Sequence, residues 1–376
     1  SSLVTGVQTC ALPICSGSRR RPVPIKPKLM SKAVNIFWFR RDLRLDDNLG
    51  LLESLKSGKP VLPIFIFDPE ILDSLPKNDA RVSFIFENLQ EMRREVQEKY
   101  DSSIAIYYDK PEKIFRKLID ENEIEAVFTN RDYEPYARER DEKIEKILSE
   151  ENIEFHSFKD QVIFEKDEIL KQDGDPYVVY TPYMKRWKEK FDPEKLKIHY
   201  TSQHLENLIK NSRLPNLSLS DMDFKKSAIE VPDFDLSPSL IDDYEKYRNF
   251  PFKDATSLLG AHLRFGTIGI RKVVKKANNS SNKTFLGELI WREFFMQVLW
   301  HHPQTVTDAF KPKYDRIKWR NNEADFKKWK EGKTGYPLVD AGMRQLNQTG
   351  FMHNRIRMLV GSFLCKHLLI DWRWGE

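Results

Sequence analysis

The stretch VNIFWFRRDLRLDDN, residues 34–48, decides how the fold is read. VNIFWF (34–39) is short and rich in apolar and aromatic residues. Four similar runs follow: VLPIFIF (61–67), SIAIYY from Ser103, EAVFT (125–129) and IEFHSF (153–158). Helix-like stretches lie between them, near 47–57, 80–99, 111–122 and 134–150. Strands alternating with helices predict a parallel, doubly wound sheet with helices on both faces. Continuous apolar strands fit a sheet buried on both sides. The turn after the first strand, RRDLRLDDN (40–48), has no G-x-G-x-x-G. The domain is therefore Rossmann-like in winding, without the dinucleotide-binding fingerprint.

Outward from this sheet the pattern changes. Residues 161–240 are polar and punctuated (QDGDP, SRLPNLSLSD, VPDFDLSPS) and are read as an interdomain connector with short helices. From 241 to 376 the periodicity is helical, which predicts an all-α second domain. A chain of 376 residues, 40% hydrophobic and 32% charged, suits about two domains. No run of about 18 apolar residues appears, so no membrane span is expected.

The first 29 residues look foreign. VTGVQTCALPI (4–14) resembles a translated sequencing adapter, and RRRPVPIKPKL (19–29) is Pro-rich. Residues 1–29 are read as a non-native, disordered leader, with Met30 as a natural start. That segment holds Cys10 and Cys15, leaving Cys365 alone. One thiol makes neither an intrachain disulfide nor a zinc site, so a cytoplasmic protein without metal is expected. The leader also carries five of the 62 basic residues and no acid; the remaining 57 equal the 57 acidic ones. Residues 301–376 hold 14 Lys/Arg against 8 Asp/Glu. On charge alone that is either an ordinary mixed surface or a rim for a polyanion.

The second half carries the chemistry. GELIWREFF (287–295) has the apolar content of a buried helix, yet places Glu288, Trp291 and Arg292 on one face. GFMHNRIRMLVGSFLCKHLL (350–369) does the same with Asn354, Arg357 and Met358. Buried charges need partners, and a large polar ligand with a π-surface would supply them. Thr256 and Ser257 precede a helical run, either as simple caps or as part of an anion-binding helix start. GKT (332–334) lacks the preceding glycine and strand of a P-loop and is read as a turn between helices. The tryptophans at 291, 300, 319, 329, 372 and 374 are packing residues or electron relays.

These motifs, with IFWFRRDLRLDDN (36–48), TSLLGAHLRFGTIGIR (256–271) and the block from 331 to 376, resemble the photolyase/cryptochrome family. The resemblance runs from about residue 34 to the end. It is most like class I cyclobutane pyrimidine dimer photolyases, and implies an α/β antenna domain (34–160) followed by a helical FAD- and DNA-binding domain (241–376). By resemblance, Glu288 and Asn354 hydrogen-bond the damaged pyrimidines, while Trp291 and Met358 pack against the flipped-out lesion. Glu288 would act as a hydrogen-bond donor or proton source to the dimer carbonyl if a site of low polarity raises its pKa. Tyr244 and the stretch Thr256, Ser257, Leu258, Leu259, Gly260 match the segment that binds FAD, with Arg292, Arg357, Glu288 and Asn354 completing the cofactor set. The family often has Ser where Gly260 stands. Phe295 and Arg355 join Glu288, Trp291, Arg292 and Asn354 as DNA-binding residues. Trp319 and Trp372 match two members of the tryptophan chain that photoreduces the flavin.

The resemblance further implies a monomer that acts on UV-damaged DNA, using reduced FAD and either a folate antenna, a deazaflavin antenna or none. NRDYEPYARERD (130–141) is either an antenna contact or a helix start with Pro135 in its first turn. By family standards the chain stops within the helical domain at DWRWGE, so a C-terminal truncation is expected. The rival reading is a cryptochrome-type blue-light receptor. Six-four photolyases and animal cryptochromes typically have a second His where Asn354 stands.

Overall fold

The computed structural model describes residues 33–376; the leader reading of residues 1–29 falls outside them. Five strands, β1 (Val34–Phe39), β2 (Val61–Phe67), β3 (Ala105–Tyr108), β4 (Ile124–Asn130) and β5 (Glu154–Phe158), form one parallel sheet in the order β3-β2-β1-β4-β5. Every residue of β1 and β2 is buried. Successive side chains face opposite sides. Phe37, Phe39, Phe65 and Phe67 therefore enter one core, and Ile36, Trp38, Ile64 and Ile66 the other.

Helices α1 (Leu49–Lys56), α2 (Pro69–Leu72) and α3 (Ala80–Tyr100) carry Leu51, Leu55, Leu72, Leu89 and Val96 into the first core. Helices α4 (Pro111–Glu121) and α5 (Pro135–Glu150) carry Phe115, Leu118, Ile144 and Leu148 into the second. Asn48 caps α1 by accepting from the Leu51 N–H, and Asp79 caps α3 from Arg81. The order of connections reverses between β1 and β4, and the loop 40–48 leaves β1 at that crevice.

The connector carries short helices and packs on both domains. Leu205, Leu208, Met222 and Phe224 enter the first sheet core, and Ile209 and Leu214 the second. Arg93 ties it down by donating to the carbonyls of Leu214 (2.7 Å) and Pro215 (3.2 Å). The connector also contains a regular helix, α6 (Tyr180–Lys190). Tyr183 and Trp187 of α6 are fully buried in a third core with α7 (Pro238–Tyr247), α8 (Leu259–Phe265), α9 (Ile270–Asn279) and α10 (Thr284–His301).

A fourth core joins α11 (Glu323–Lys330), α12 (Pro337–Thr349) and α13 (Asn354–Lys366), and Trp374 of the short α14 (Trp372–Gly375) packs edge-on against Phe326 beside it. A Cβ at Gly342 would overlap Ile356, so α12 and α13 cross where only glycine fits. The GKT turn joins α11 to α12 and is held by Asp340, whose carboxylate accepts from the N–H groups of Thr334 (2.7 Å) and Gly335 (2.9 Å). Among the described residues no helix is long and apolar enough to cross a membrane.

Candidate functional site

Two charged clusters organise the molecule. The first is the joint between the sheet and the helical domain, built on the RRDLRLDDN loop. Asp160 bridges Arg44 (2.5 Å) from that loop and Arg271 (2.6 Å) from α9. Arg271 also reaches Asp47 Oδ1 (2.7 Å), and Arg44 donates to the Gly266 carbonyl (3.0 Å). Against the upward push of burial, Arg44 and Arg271 hold the Asp160 carboxyl below its usual range. Gly266 has φ +70, and a Cβ there would overlap the Arg41 carbonyl; a Cβ at Gly269 would overlap Asp47. The glycines of the GTIG turn are thus required by close approach of the two domains.

The stretch 130–141 belongs to the same joint. Pro135 is the first residue of α5, so the helix-start reading of this stretch holds for its local structure. Asp132 and Glu134 pair with Arg41 (3.1 and 2.9 Å), and the Arg138 guanidinium sits 4.0 Å from the Trp300 ring of α10.

The second cluster lies where the end of α7 meets α10 and α13. Glu288, one-third exposed, pairs with Arg248 at 2.6 Å. An arginine thus already engages the Glu288 carboxyl, so the condition of a low-polarity site is not met here. Arg248 also lies 5.3 Å from the Tyr244 ring, one turn back on α7, and Tyr244 packs edge-on against Phe285. Asn249, the next residue, accepts from Arg355 Nε at 2.8 Å. Glu288 and the start of α13 thus meet around Arg248 and Asn249, neither of which the motif reading singled out. Arg248 stands four residues after Tyr244, a spacing that places both on one helical face.

Asn354, Arg355, Arg357 and Met358 are all exposed on the first turns of α13. The His353 side chain caps that helix, accepting from Arg355 N at 3.2 Å. Met358 is 58% exposed and Phe295 60% exposed, so both present apolar surface to solvent. Trp291 is half-buried, stacked on Tyr180 with centroids 3.5 Å apart and with Phe295 at 5.5 Å.

Five other expected site residues fall in three other places. Arg292 faces the joint, donating to the carbonyls of Gln161 (2.7 Å) and Leu263 (3.2 Å). These bonds engage its half-buried guanidinium, and its hydrogen bond to α8 is at Leu263 rather than within 256–260. Burial, with Arg41 nearby, pulls its pKa down to about 10. Thr256 and Ser257 do not cap α8: the helix starts at Leu259, its N-cap is Leu258 with φ +53, and no side chain caps it. The first N–H groups of α8 are therefore free of side-chain acceptors, and a Cβ on Gly260 would meet only open space. That arrangement fits a phosphate, since uncapped helix starts favour anions. Trp319 and Trp372 flank two paired segments: Arg320 N donates to the Leu369 carbonyl (2.7 Å) and Asp371 N to Asn321 Oδ1 (2.8 Å).

One buried acid escaped the sequence reading altogether. Glu293, 3% exposed, follows Arg292 on α10. Its carboxylate accepts from the N–H groups of Ile163 (2.6 Å) and Phe164 (3.1 Å), from Trp187 Nε1 (2.6 Å) and from the Tyr183 hydroxyl (3.3 Å). It fastens the connector and α6 to α10. The available signal was Tyr180, Tyr183 and Trp187 at i, i+3 and i+7.

Comparison with known proteins places this arrangement. Residues 35–201 match the DNA photolyase family model, and residues 285–376 match that of the FAD binding domain of DNA photolyase. A deoxyribodipyrimidine photo-lyase from Synechococcus sp. is 34% identical, over 91% of this chain and 76% of the relative. The chain belongs to the photolyase/cryptochrome family. Another photolyase relative, from Agrobacterium fabrum, is 35% identical over 91% of this chain and 74% of the relative. Among solved structures, a bacterial class III photolyase from Agrobacterium tumefaciens superposes with TM-score 0.81 at 33% identity, covering 92% of this chain and 75% of that one. An archaeal photolyase from Sulfolobus tokodaii, solved with two FAD molecules, gives TM-score 0.74 at 32% identity, covering 91% and 77%. A Synechocystis cryptochrome, at 24% identity and TM-score 0.76 over 92% and 78%, shares the photolyase fold.

Proposed function

We propose that this protein is a deoxyribodipyrimidine photo-lyase, which repairs cyclobutane pyrimidine dimers in DNA by light-driven electron transfer. The observation that carries the reading is identity of 34% to a protein of that name, spread over nine-tenths of this chain rather than confined to one motif. The assignment to class I is finer and rests on Trp291, Asn354 and Met358 together.

Reduced FAD, when bound, supplies on absorbing blue light the electron that opens the cyclobutane ring. The chain's residues do the rest. The uncapped start of α8, with Thr256, Ser257, Leu258, Leu259 and Gly260, holds the cofactor phosphates, and Tyr244 and Arg357 contribute to the cradle. Arg292 keeps α8 against α10. A dimer inside duplex DNA must be extruded, at about a few kcal/mol. Trp291 and Met358 pack against the extruded dimer, and Asn354 and Glu288 hydrogen-bond its polar edge, with Arg248 holding the Glu288 carboxylate in place. Exposed Phe295 and Arg355, with the basic excess after residue 300, track the flanking DNA.

The test uses flavin-loaded protein and thymine-dimer DNA. Dimer loss in blue light and none in darkness is the expected result; bound flavin without repair would instead identify a light sensor of the same fold. In this assay Glu288→Ala is expected to lower repair per absorbed photon by about three- to tenfold, as for loss of one net hydrogen bond of about 1 kcal/mol, with flavin retained. Unchanged repair would remove Glu288 from the site. Trp319→Phe is expected to slow photoreduction while sparing repair by chemically reduced enzyme. If photoreduction keeps its rate, Trp319 is packing only.

A further inference from the structure

The connector supplies an aromatic residue to the face of α10. Tyr180 opens α6, and its ring lies parallel to the Trp291 indole, with centroids 3.5 Å apart and 9° between planes. Phe295 stacks on the same indole at 5.5 Å and 25°, and Phe294 meets it edge-on at 5.8 Å. The Tyr180 hydroxyl donates to the Gly287 carbonyl at 2.7 Å. In an α-helix that carbonyl also receives the N–H of Trp291, four residues on. Tyr180 is therefore fixed to the Trp291 turn twice, by its ring and by its hydroxyl. Burial, assisted by Glu288, pushes the phenol up to about 12, so it remains a donor at any working pH. Further along α6, Tyr183 and Trp187 grip Glu293.

We propose that Tyr180 is a positioning residue for dimer recognition: it sets the plane and depth of the Trp291 ring against which the extruded dimer packs. The inference rests on the proposed role of Trp291. A free indole at a half-exposed site rotates about two side-chain bonds. With Tyr180 flat against it, the ring offers one orientation, and less of the stacking energy goes into ordering it. Stacking on an aromatic ring is a large part of how proteins hold unpaired bases, so the ring's orientation bears directly on selectivity between damaged and undamaged DNA.

The experiment measures dark binding of thymine-dimer and undamaged DNA to the flavin-loaded protein by fluorescence anisotropy. Tyr180→Leu keeps bulk but loses flatness and hydroxyl. It is expected to weaken dimer binding about tenfold, to leave undamaged DNA within about twofold, and to diminish the near-ultraviolet circular dichroism of the stacked pair. Tyr180→Phe, which keeps the stack, is expected to stay within about threefold. In a Trp291→Leu background, Tyr180→Leu is expected to add little, because its effect passes through the indole. Should Tyr180→Leu melt early, Tyr180→His, planar and smaller, reads the same coupling. If Trp291→Leu weakens dimer binding but Tyr180→Leu does not, the positioning role falls while the lesion contact stands. Equal losses for damaged and undamaged DNA, or additivity with Trp291→Leu, would make Tyr180 a structural residue. If Trp291→Leu itself leaves dimer binding unchanged, the lesion contact and this inference fall together.

Discussion

Asp160→Ala is expected to cost about 3–5 kcal/mol of stability, the range seen when one partner of a buried ion pair is removed. Asp160 is 1% exposed and is shared by Arg44 and Arg271, one from each domain. Alanine would leave two guanidiniums in the joint without their common anion. Arg44 would keep the Asp47 and Gly266 carbonyls, and Arg271 would keep Asp47. The charges would still be buried together, so the joint is expected to open locally. Thermal melting with limited proteolysis of the connector checks this. A melt unchanged to within about 1 kcal/mol, with no new cleavage, would refute it. The pH dependence has a fixed sign. Asp160 has a lowered folded pKa, so its contribution is present above the carboxylate's ordinary pKa and is lost as pH falls through the folded value. Asp160→Asn, which keeps one acceptor oxygen, is expected to lose less than alanine and to flatten that acid limb.

The sheet was legible because its signal is local. A strand buried on both faces must be apolar throughout, and β1 and β2 occupy the residues 34–39 and 61–67 that their composition marks. The short edge strand β3 begins at Ala105, two residues after the start of the quoted run, where its pairing with Ile64 of β2 begins. Helix α6 was not legible. YTPYMKRWKEK is mostly polar, and only Tyr180, Tyr183 and Trp187 mark its buried face. What they pack against lies about a hundred residues later in the chain. The site divides in the same way. GELIWREFF and MHNRIRM announce polar groups on apolar helices, and the motifs carry their assignment by resemblance. The partners Arg248, Asn249 and Gln161 are common residue types in unremarkable contexts, and only tertiary approach gives them meaning. Arg292 misled for the same reason. Sequence places it on the Glu288 face of α10 by periodicity, whereas its long side chain reaches the joint.

Glu293→Leu is expected to destabilise the helical domain by about 3–5 kcal/mol, because a side chain of similar size would face four donors with no acceptor. Each donor buried without a partner costs about 1–3 kcal/mol. The total falls short of four such losses because leucine also removes the cost of burying an acid. That cost has a pH signature. Burial pushes the Glu293 carboxyl up to about 7, against the pull of its two main-chain donors and Trp187. The folded state therefore holds a proton that the unfolded chain, with an ordinary glutamate pKa, has released. Stability from this group is full below the unfolded value and declines as pH rises toward 7, by about 1.4 kcal/mol per pH unit between the two. Above 7 it is flat. The wild-type protein is thus expected to melt higher at pH 6 than at pH 8 through this group, and Glu293→Leu to abolish that difference while lowering both melts. A leucine variant that melts like wild type would mean that the four donors find other partners. Glu293 would then not be what holds α6, and with it Tyr180, against the Trp291 face of α10.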